Sequence, residues 1–253
     1  MSNLGIVLIH GGTFTSGYWD WVVPLLESEC IAVDLPGRGR KPADLDSITI
    51  SDWAESVIDD IGLAGFDEAV LVGNSLAGIT IPAVARRIPE RMRHLVFSSC
   101  TVPSQGQRVL DCLQPELGEM LEQLEPMLRE GKLPEEMRPT NENVSAAACI
   151  GADAPAELLR ATDEAHRRIA SESLGVMFEP MEWGGFPSEV PRTYIKNLRD
   201  EIVPPVLQQK MIDGMGGARV IELDGPHCPA IRSPQIIAAI LNGIAAGIQL
   251  DRT

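Results

Sequence analysis

Hydrophobic and polar positions along the chain fall into short, nearly all-apolar runs, separated by longer stretches whose apolar residues recur at helical spacing. The runs are Gly5 to His10, Ile31 to Asp34, Ala69 to Gly73, Leu95 to Ser99, Thr193 to Lys196 and Arg219 to Leu223. They are rich in Val, Ile and Leu and mostly apolar on both faces, as strands covered on both sides of a parallel sheet are. Between them, Trp19 to Glu27, Ser51 to Ala64, Leu76 to Arg87 and Pro205 to Met215 predict crossover helices, and Pro234 to Ile248 predicts a last one. Strand and helix in alternation, with right-handed crossovers, make an α/β class: an open, mostly parallel sheet of about six strands flanked by helices.

One stretch breaks this rhythm. Residues 104–189 hold no buried-strand pattern, while helical patterns recur over Leu110 to Arg129 and Pro155 to Ser173, with Met127, Met137, Met177 and Met181 as flexible apolar side chains. A block of ordinary connecting helices is one reading. About 85 residues is long for a connection, which favours a helical cap inserted over the C-terminal edge of the sheet, where ligands bind in open α/β folds. The core then consists of residues 1–103 and 190–253.

Composition narrows the classes further. The 253 residues are 44% hydrophobic and 23% charged, enough apolar material for one domain with a full core. Five cysteines (Cys30, Cys100, Cys112, Cys149, Cys228) are odd in number and share no CxxC spacing. That predicts reduced thiols in a cytoplasmic protein and no zinc site. The start lacks the basic residues and long apolar stretch of a signal peptide, and no apolar run reaches the roughly 18 to 20 residues of a membrane span. No membrane partner is expected. A formal charge of −15 excludes nucleic acid as a partner, because phosphate binding needs clustered Lys and Arg.

The strongest chemical signal is Val70-Leu71-Val72-Gly73-Asn74-Ser75-Leu76-Ala77-Gly78. An apolar strand enters a Gly-x-Ser turn and helix-forming residues follow at once, the setting of a nucleophile elbow. Small residues at Gly73 and Ala77 let the backbone fold beneath Ser75. Glycine is usual two residues after the serine; here alanine stands there and Gly78 follows. The competing reading makes Ser75 a helix N-cap, which explains the serine but not its small neighbours.

Three further segments fit nucleophilic catalysis. His10-Gly11-Gly12 follows the first strand; a glycine loop there brings a backbone N–H close to a reacting carbonyl. Gly12 and Leu76, the residue after the nucleophile, are the candidate oxyanion donors, with Gly11 assisting the turn. His10 itself, at a strand end, reads as a buried structural residue. Of the four histidines, His227 lies on the Gly/Pro-rich loop after the last strand and is the candidate base. His94, among Arg91 and Arg93, and His166, beside Arg167 and Arg168, read as solvated surface residues. The acid that orients the base is expected after a strand and between the other two members in the chain. Asp200 meets both conditions, with Glu201 and Asp224 as competitors.

These segments resemble the α/β-hydrolase superfamily over nearly the whole chain. The matching blocks are Ile6 to Gly12, Val33-Asp34-Leu35-Pro36-Gly37-Arg38-Gly39 and Gly73 to Gly78. Tyr18-Trp19, Pro24-Leu25-Leu26-Glu27 and Asp200-Glu201-Ile202-Val203-Pro204 are similar to the branch holding hydroxynitrile lyases, methylesterases and related bacterial esterases. The resemblance implies Ser75, Asp200 and His227 as a triad, Gly12 and Leu76 as oxyanion donors, and a helical cap. Lyases of that branch place a threonine after the first-strand histidine and a lysine after the catalytic one; here those positions hold Gly11 and Cys228.

Ester hydrolysis through an acyl-enzyme is therefore the expected activity, on a small-molecule ester and without metal or organic cofactor. A thioesterase, lactonase, amidase or C–C hydrolase would use the same groups. A lyase and a ligand receptor on the same scaffold are the alternatives. Gly11, Phe14, Asn74 and Trp183 are candidate substrate contacts, although Phe14 and Trp183 fit a core equally well. Cap-mediated homodimers are common among similar enzymes, and a homodimer is the assembly this implies.

Overall fold

The computed structural model describes residues 2–134, 137, 145–167 and 172–250. Six strands form one sheet: β1 (Leu4–Ile9), β2 (Cys30–Val33), β3 (Glu68–Asn74), β4 (Met92–Ser98), β5 (Arg192–Asn197) and β6 (Arg219–Leu223). Their order is β2-β1-β3-β4-β5-β6, and every pairing is parallel. The sheet expected to be mostly parallel is thus wholly parallel among the described residues.

Side chains alternate between the two faces. Ile6, Leu8, Val70, Val72, Val96 and Ile195 enter one apolar layer; Val7, Ile9, Leu71, Leu95, Phe97 and Tyr194 enter the other. A strand that buries both of its period-2 faces carries no polar stripe, as in β1, whereas the edge strand β6 is largely exposed and carries Arg219 and Glu222. On the second face lie α1 (Ile50–Leu63), α2 (Ala77–Ala85) and, later in the chain, Pro205–Met215; on the first lies Pro234–Leu250. Thr49 and Asp52 form a capping box that starts α1, each accepting the other's backbone N–H.

The predicted helix from Trp19 to Glu27 is absent. Two 3₁₀ turns, Ser16–Trp19 and Val23–Leu25, take its place. Pro24 lacks the N–H an α-helix needs at that point, and its ring would clash with the carbonyl four residues back. Bonds to the third residue back form instead, Val22 N to Trp19 O at 2.8 Å and Leu25 N to Val22 O at 2.9 Å.

Between β4 and β5 run α3 (Pro115–Glu122), α4 (Glu125–Arg129), α5 (Ala146–Ile150), α6 (Ala156–Arg167) and α7 (Gly175–Phe178). The helical pattern expected over Leu110 to Arg129 is divided between α3 and α4, with Pro115 at the first position of α3 and Pro126 at the second position of α4. The pattern over Pro155 to Ser173 is α6, its end falling partly outside the described residues. Leu110, Leu121, Leu124, Leu133, Leu174 and Phe178 form a small core of their own. Cys149 and Ile150 instead join one main layer, and Val176 and Met181 the other. Of the four methionines noted in this stretch, Met181 is buried, whereas Met127 and Met137 are exposed.

After β5 come α8 (Pro205–Met215), α9 (Pro229–Arg232) and α10 (Pro234–Leu250). No helix among the described residues is long and apolar enough to cross a membrane. All five cysteines carry free thiols.

Candidate active site

From Glu68 to Ala85 every residue is buried except Ser75, which keeps partial access to solvent. Ser75 stands between the end of β3, a central strand, and the start of α2. Its φ is +54°, in the left-handed region that costs a residue with a Cβ about 1–2 kcal/mol. Three backbone bonds of 3.0 Å impose it: Ser75 N donates to Ser98 O, and Ser75 O accepts from Gly78 N and Thr101 N. The cap of α2 is Leu76, and no side chain caps it, so the N-cap reading of Ser75 does not hold.

The small residues have steric causes. A methyl group on Gly73 would lie 2.6 Å from Ala77 Cβ, and one on Gly78 would lie 2.2 Å from the Thr101 carbonyl oxygen. Gly78 thus lets α2 start directly against the loop after β4. A methyl on Gly11 would fall 2.9 Å from Ser75 Cβ. One on Gly12 would fall 3.3 Å from Leu76 Cδ2, so the loop after β1 meets the elbow at these two glycines.

His227 is buried on the loop between β6 and α9, and its Nδ1 lies 2.8 Å from Asp200 Oδ2. The other carboxylate oxygen of Asp200 accepts the N–H groups of Ile202 (2.9 Å) and Val203 (2.8 Å). Gln208, fully buried on α8, donates to Asp200 Oδ2 and to the Val203 and Asn197 carbonyls. Of the three candidate acids, only Asp200 meets His227. Glu201 is exposed, and Asp224 is an exposed partner of Arg199 at 3.0 Å.

Asn74 ties this loop to the elbow. Its side-chain amide donates to Ser98 O at 3.0 Å and to His227 O at 3.1 Å, and the residue has no solvent exposure. On the far side, Cys228 N donates to Cys149 O at 2.7 Å. The Cys228 thiol is fully buried in the α10 layer, and burial, with Cys149 beside it, pushes its pKa well up.

His10 is buried and structural, as expected. Leu35 N donates to its Nε2 at 3.1 Å, which leaves the proton on Nδ1 to donate to Gly11 O at 2.7 Å. Gly11 O and Gly12 N–H belong to one trans peptide, so this bond also sets the direction of the Gly12 N–H. Burial lowers the His10 pKa to about 4 and keeps the ring neutral.

Two histidines read as solvated are not. His166 is buried at 2%, its ring edge-on to Phe14 with centroids 4.5 Å apart. Thr162 and His166, four residues apart, share the inward face of α6. His94 sits within β4, half-buried, with Nε2 2.9 Å from Thr193 Oγ1, and burial lowers its pKa to about 4. Phe14 also packs edge-on to Tyr18, at 5.0 Å. Trp183 packs on Phe186, and its indole N–H donates to Pro103 O at 2.9 Å, joining the two ends of the β4–β5 segment.

The clamp of Asn74 and the support from Gln208 went unread in the sequence, since neither lies in a motif that assigns it a partner. So did a buried ion pair between Arg38 and Glu172. Arg38 stands in a block that carries the family resemblance, which assigns it no partner.

A serine elbow at the end of a central strand of a parallel sheet, with an acid-paired histidine after the last strand, is the α/β-hydrolase arrangement. Sequence comparison agrees: the chain belongs to the alpha/beta hydrolase family, whose profile matches residues 6–240. Among curated relatives it is 27% identical to putative methylesterase 14, chloroplastic, of Arabidopsis thaliana, over 94% of this chain and 71% of that one. It is 25% identical to a pyrethroid hydrolase of Sphingobium wenxiniae (97% and 89% covered) and 26% identical to an alpha-hydroxynitrile lyase of Arabidopsis thaliana (94% and 96%). Among solved structures, an extracellular alpha/beta-hydrolase from a Paenibacillus species superposes with a TM-score of 0.78 at 24% identity, covering 95% of this chain and 98% of that one. That likeness is one of fold.

Proposed function

We propose that the protein is a carboxylic-ester hydrolase acting through Ser75, His227 and Asp200. The reading is carried by the Asp200–His227 pair, which Asn74 holds against the backbone of the Ser75 elbow. Asp200 keeps the Nδ1 proton of His227 in place, so Nε2 is the free base. His227 takes the Ser75 proton as the hydroxyl attacks the ester carbonyl, and the N–H groups of Gly12 and Leu76 receive the oxyanion. His227 then protonates the leaving alcohol, and water repeats the sequence to release the acid. The helices between β4 and β5 act as a cap that shapes the acyl pocket. The methylesterase and pyrethroid hydrolase relatives support ester chemistry.

The lyase relative does not shift this reading. Gly11 supplies no hydroxyl, and any side chain there would strike Ser75 Cβ. Cys228 supplies no cation.

A fluorophosphonate probe should label the wild-type protein at Ser75 and leave Ser75→Ala unlabelled, and p-nitrophenyl esters of graded chain length should be turned over by the former alone. Labelling that persists in Ser75→Ala would sink the assignment. Release of aldehyde from a cyanohydrin without ester turnover would favour the lyase.

A further inference from the structure

Glu172, just before α7, is buried at 2% exposure, and its carboxylate faces the equally buried Arg38, which follows β2. One carboxylate oxygen takes Arg38 and accepts Ser173 N at 3.0 Å; the other accepts Thr13 N at 2.7 Å. Thr13 directly follows the candidate oxyanion donor Gly12 and has a φ of +60°, which a β-branched residue adopts only under constraint. A methyl on Gly12 would lie 2.9 Å from Glu172 Oε2, so this carboxylate rests against the loop itself.

These contacts divide the work on the loop. His10 holds the peptide between Gly11 and Gly12, whereas Glu172 holds the peptide between Gly12 and Thr13. A bare carboxylate at this place would oppose the negative charge that develops on the substrate carbonyl oxygen. Arg38 offsets it, and the buried pair presents an acceptor without a net charge.

Building on the assignment of Gly12 as an oxyanion donor, we propose that Glu172 is a positioning residue for the oxyanion hole, with Arg38 as its charge partner. The segment between β4 and β5 thereby fixes the loop after β1, and the aim of the Gly12 N–H depends on Glu172 keeping its hold on Thr13.

Two double variants separate this role from a plain structural ion pair. Glu172→Gln with Arg38→Met removes both charges but keeps a carbonyl acceptor for Thr13 N–H. Glu172→Leu with Arg38→Met removes the acceptor as well, at similar volume. On the best p-nitrophenyl ester, the Gln/Met variant should keep kcat within a few-fold of wild type. The Leu/Met variant should lose roughly 10- to 100-fold in kcat, less than deletion of an oxyanion donor, with KM little changed. Affinity for an arylboronic acid, an anionic tetrahedral mimic, should fall in parallel with kcat. Equal kcat in the two variants overturns the proposal.

Should either variant fail to fold, the wild-type protein still decides it. The Thr13 amide proton should resonate downfield and exchange slowly in NMR; a freely exchanging amide overturns the proposal. Fluorophosphonate labelling separates the two levels. Persistent labelling in Ser75→Ala defeats the underlying reading, whereas labelled wild-type enzyme with equal kcat in both double variants defeats only the role of Glu172.

Discussion

Replacing Asp200 by asparagine tests the proposed site at its most constrained point. One carboxylate oxygen accepts the N–H groups of Ile202 and Val203, and the other meets His227 Nδ1 and Gln208 Nε2. An asparagine must turn its carbonyl oxygen to the two backbone donors, because its NH₂ group would oppose them. The NH₂ then faces His227, so Nδ1 must accept and the ring proton moves to Nε2. That tautomer cannot take the Ser75 proton. Loss of the correct tautomer in a serine triad lowers kcat by about 10⁴-fold, equivalent to about 5 kcal/mol of transition-state stabilisation. The fold should survive, since both backbone N–H groups keep an acceptor and no buried charge is orphaned. The assay is kcat on a p-nitrophenyl ester alongside a urea melt, with Glu201→Gln and Asp224→Asn as exposed controls that stay within twofold of wild type. An Asp200→Asn enzyme within tenfold of wild type, or a control that fails as badly, would refute the reasoning.

Further outcomes follow from the same geometry. Ser75→Gly should be more stable than Ser75→Ala by about 1 kcal/mol, because glycine accepts the left-handed backbone that alanine resists, while both are inactive; equal urea midpoints would argue against a strained elbow. Gly78→Ala should cost about 1–3 kcal/mol by overpacking against the Thr101 carbonyl, read from thermal denaturation, and an unchanged melting temperature would contradict the close approach. Stability should also fall on acidification. The folded pKa of His10 and His94 is about 4 against 6.5 for an ordinary histidine, so the unfolded chain binds these protons first. Their contribution is complete above pH 6.5 and is lost as the pH drops towards 4. At about 1.4 kcal/mol per pH unit this reaches roughly 3 kcal/mol for His10 and less for the partly solvated His94. Urea midpoints that stay level between pH 6.5 and 5 would contradict it.

The sequence by itself determined the elements and their order. All six strands and the helices α1, α2, α8 and α10 lie where apolar spacing puts them, within a few residues, because burial on one or both faces is written into local periodicity. The strand-to-helix turn around Ser75 was legible for the same reason: Gly73, Ser75 and Gly78 are close neighbours in the chain. Proline cut the pattern at Pro24, Pro115 and Pro126, where local chemistry overrode spacing that read as helix.

Partnership across the chain was decided only by the tertiary structure. Chain order and the family resemblance already pointed to Asp200 over Glu201 and Asp224, but its contact with His227 Nδ1 exists only in the packed structure. His166 looked solvated beside its arginines, yet α6 turns it inward against Phe14. Asn74 meets His227 across 153 positions, and Glu172 meets Thr13 across 159. Hydrophobic patterning encodes which face of an element is buried. It does not encode which polar group waits on the other side, because that contact exists only after the sheet, its crossovers and the segment between β4 and β5 have packed.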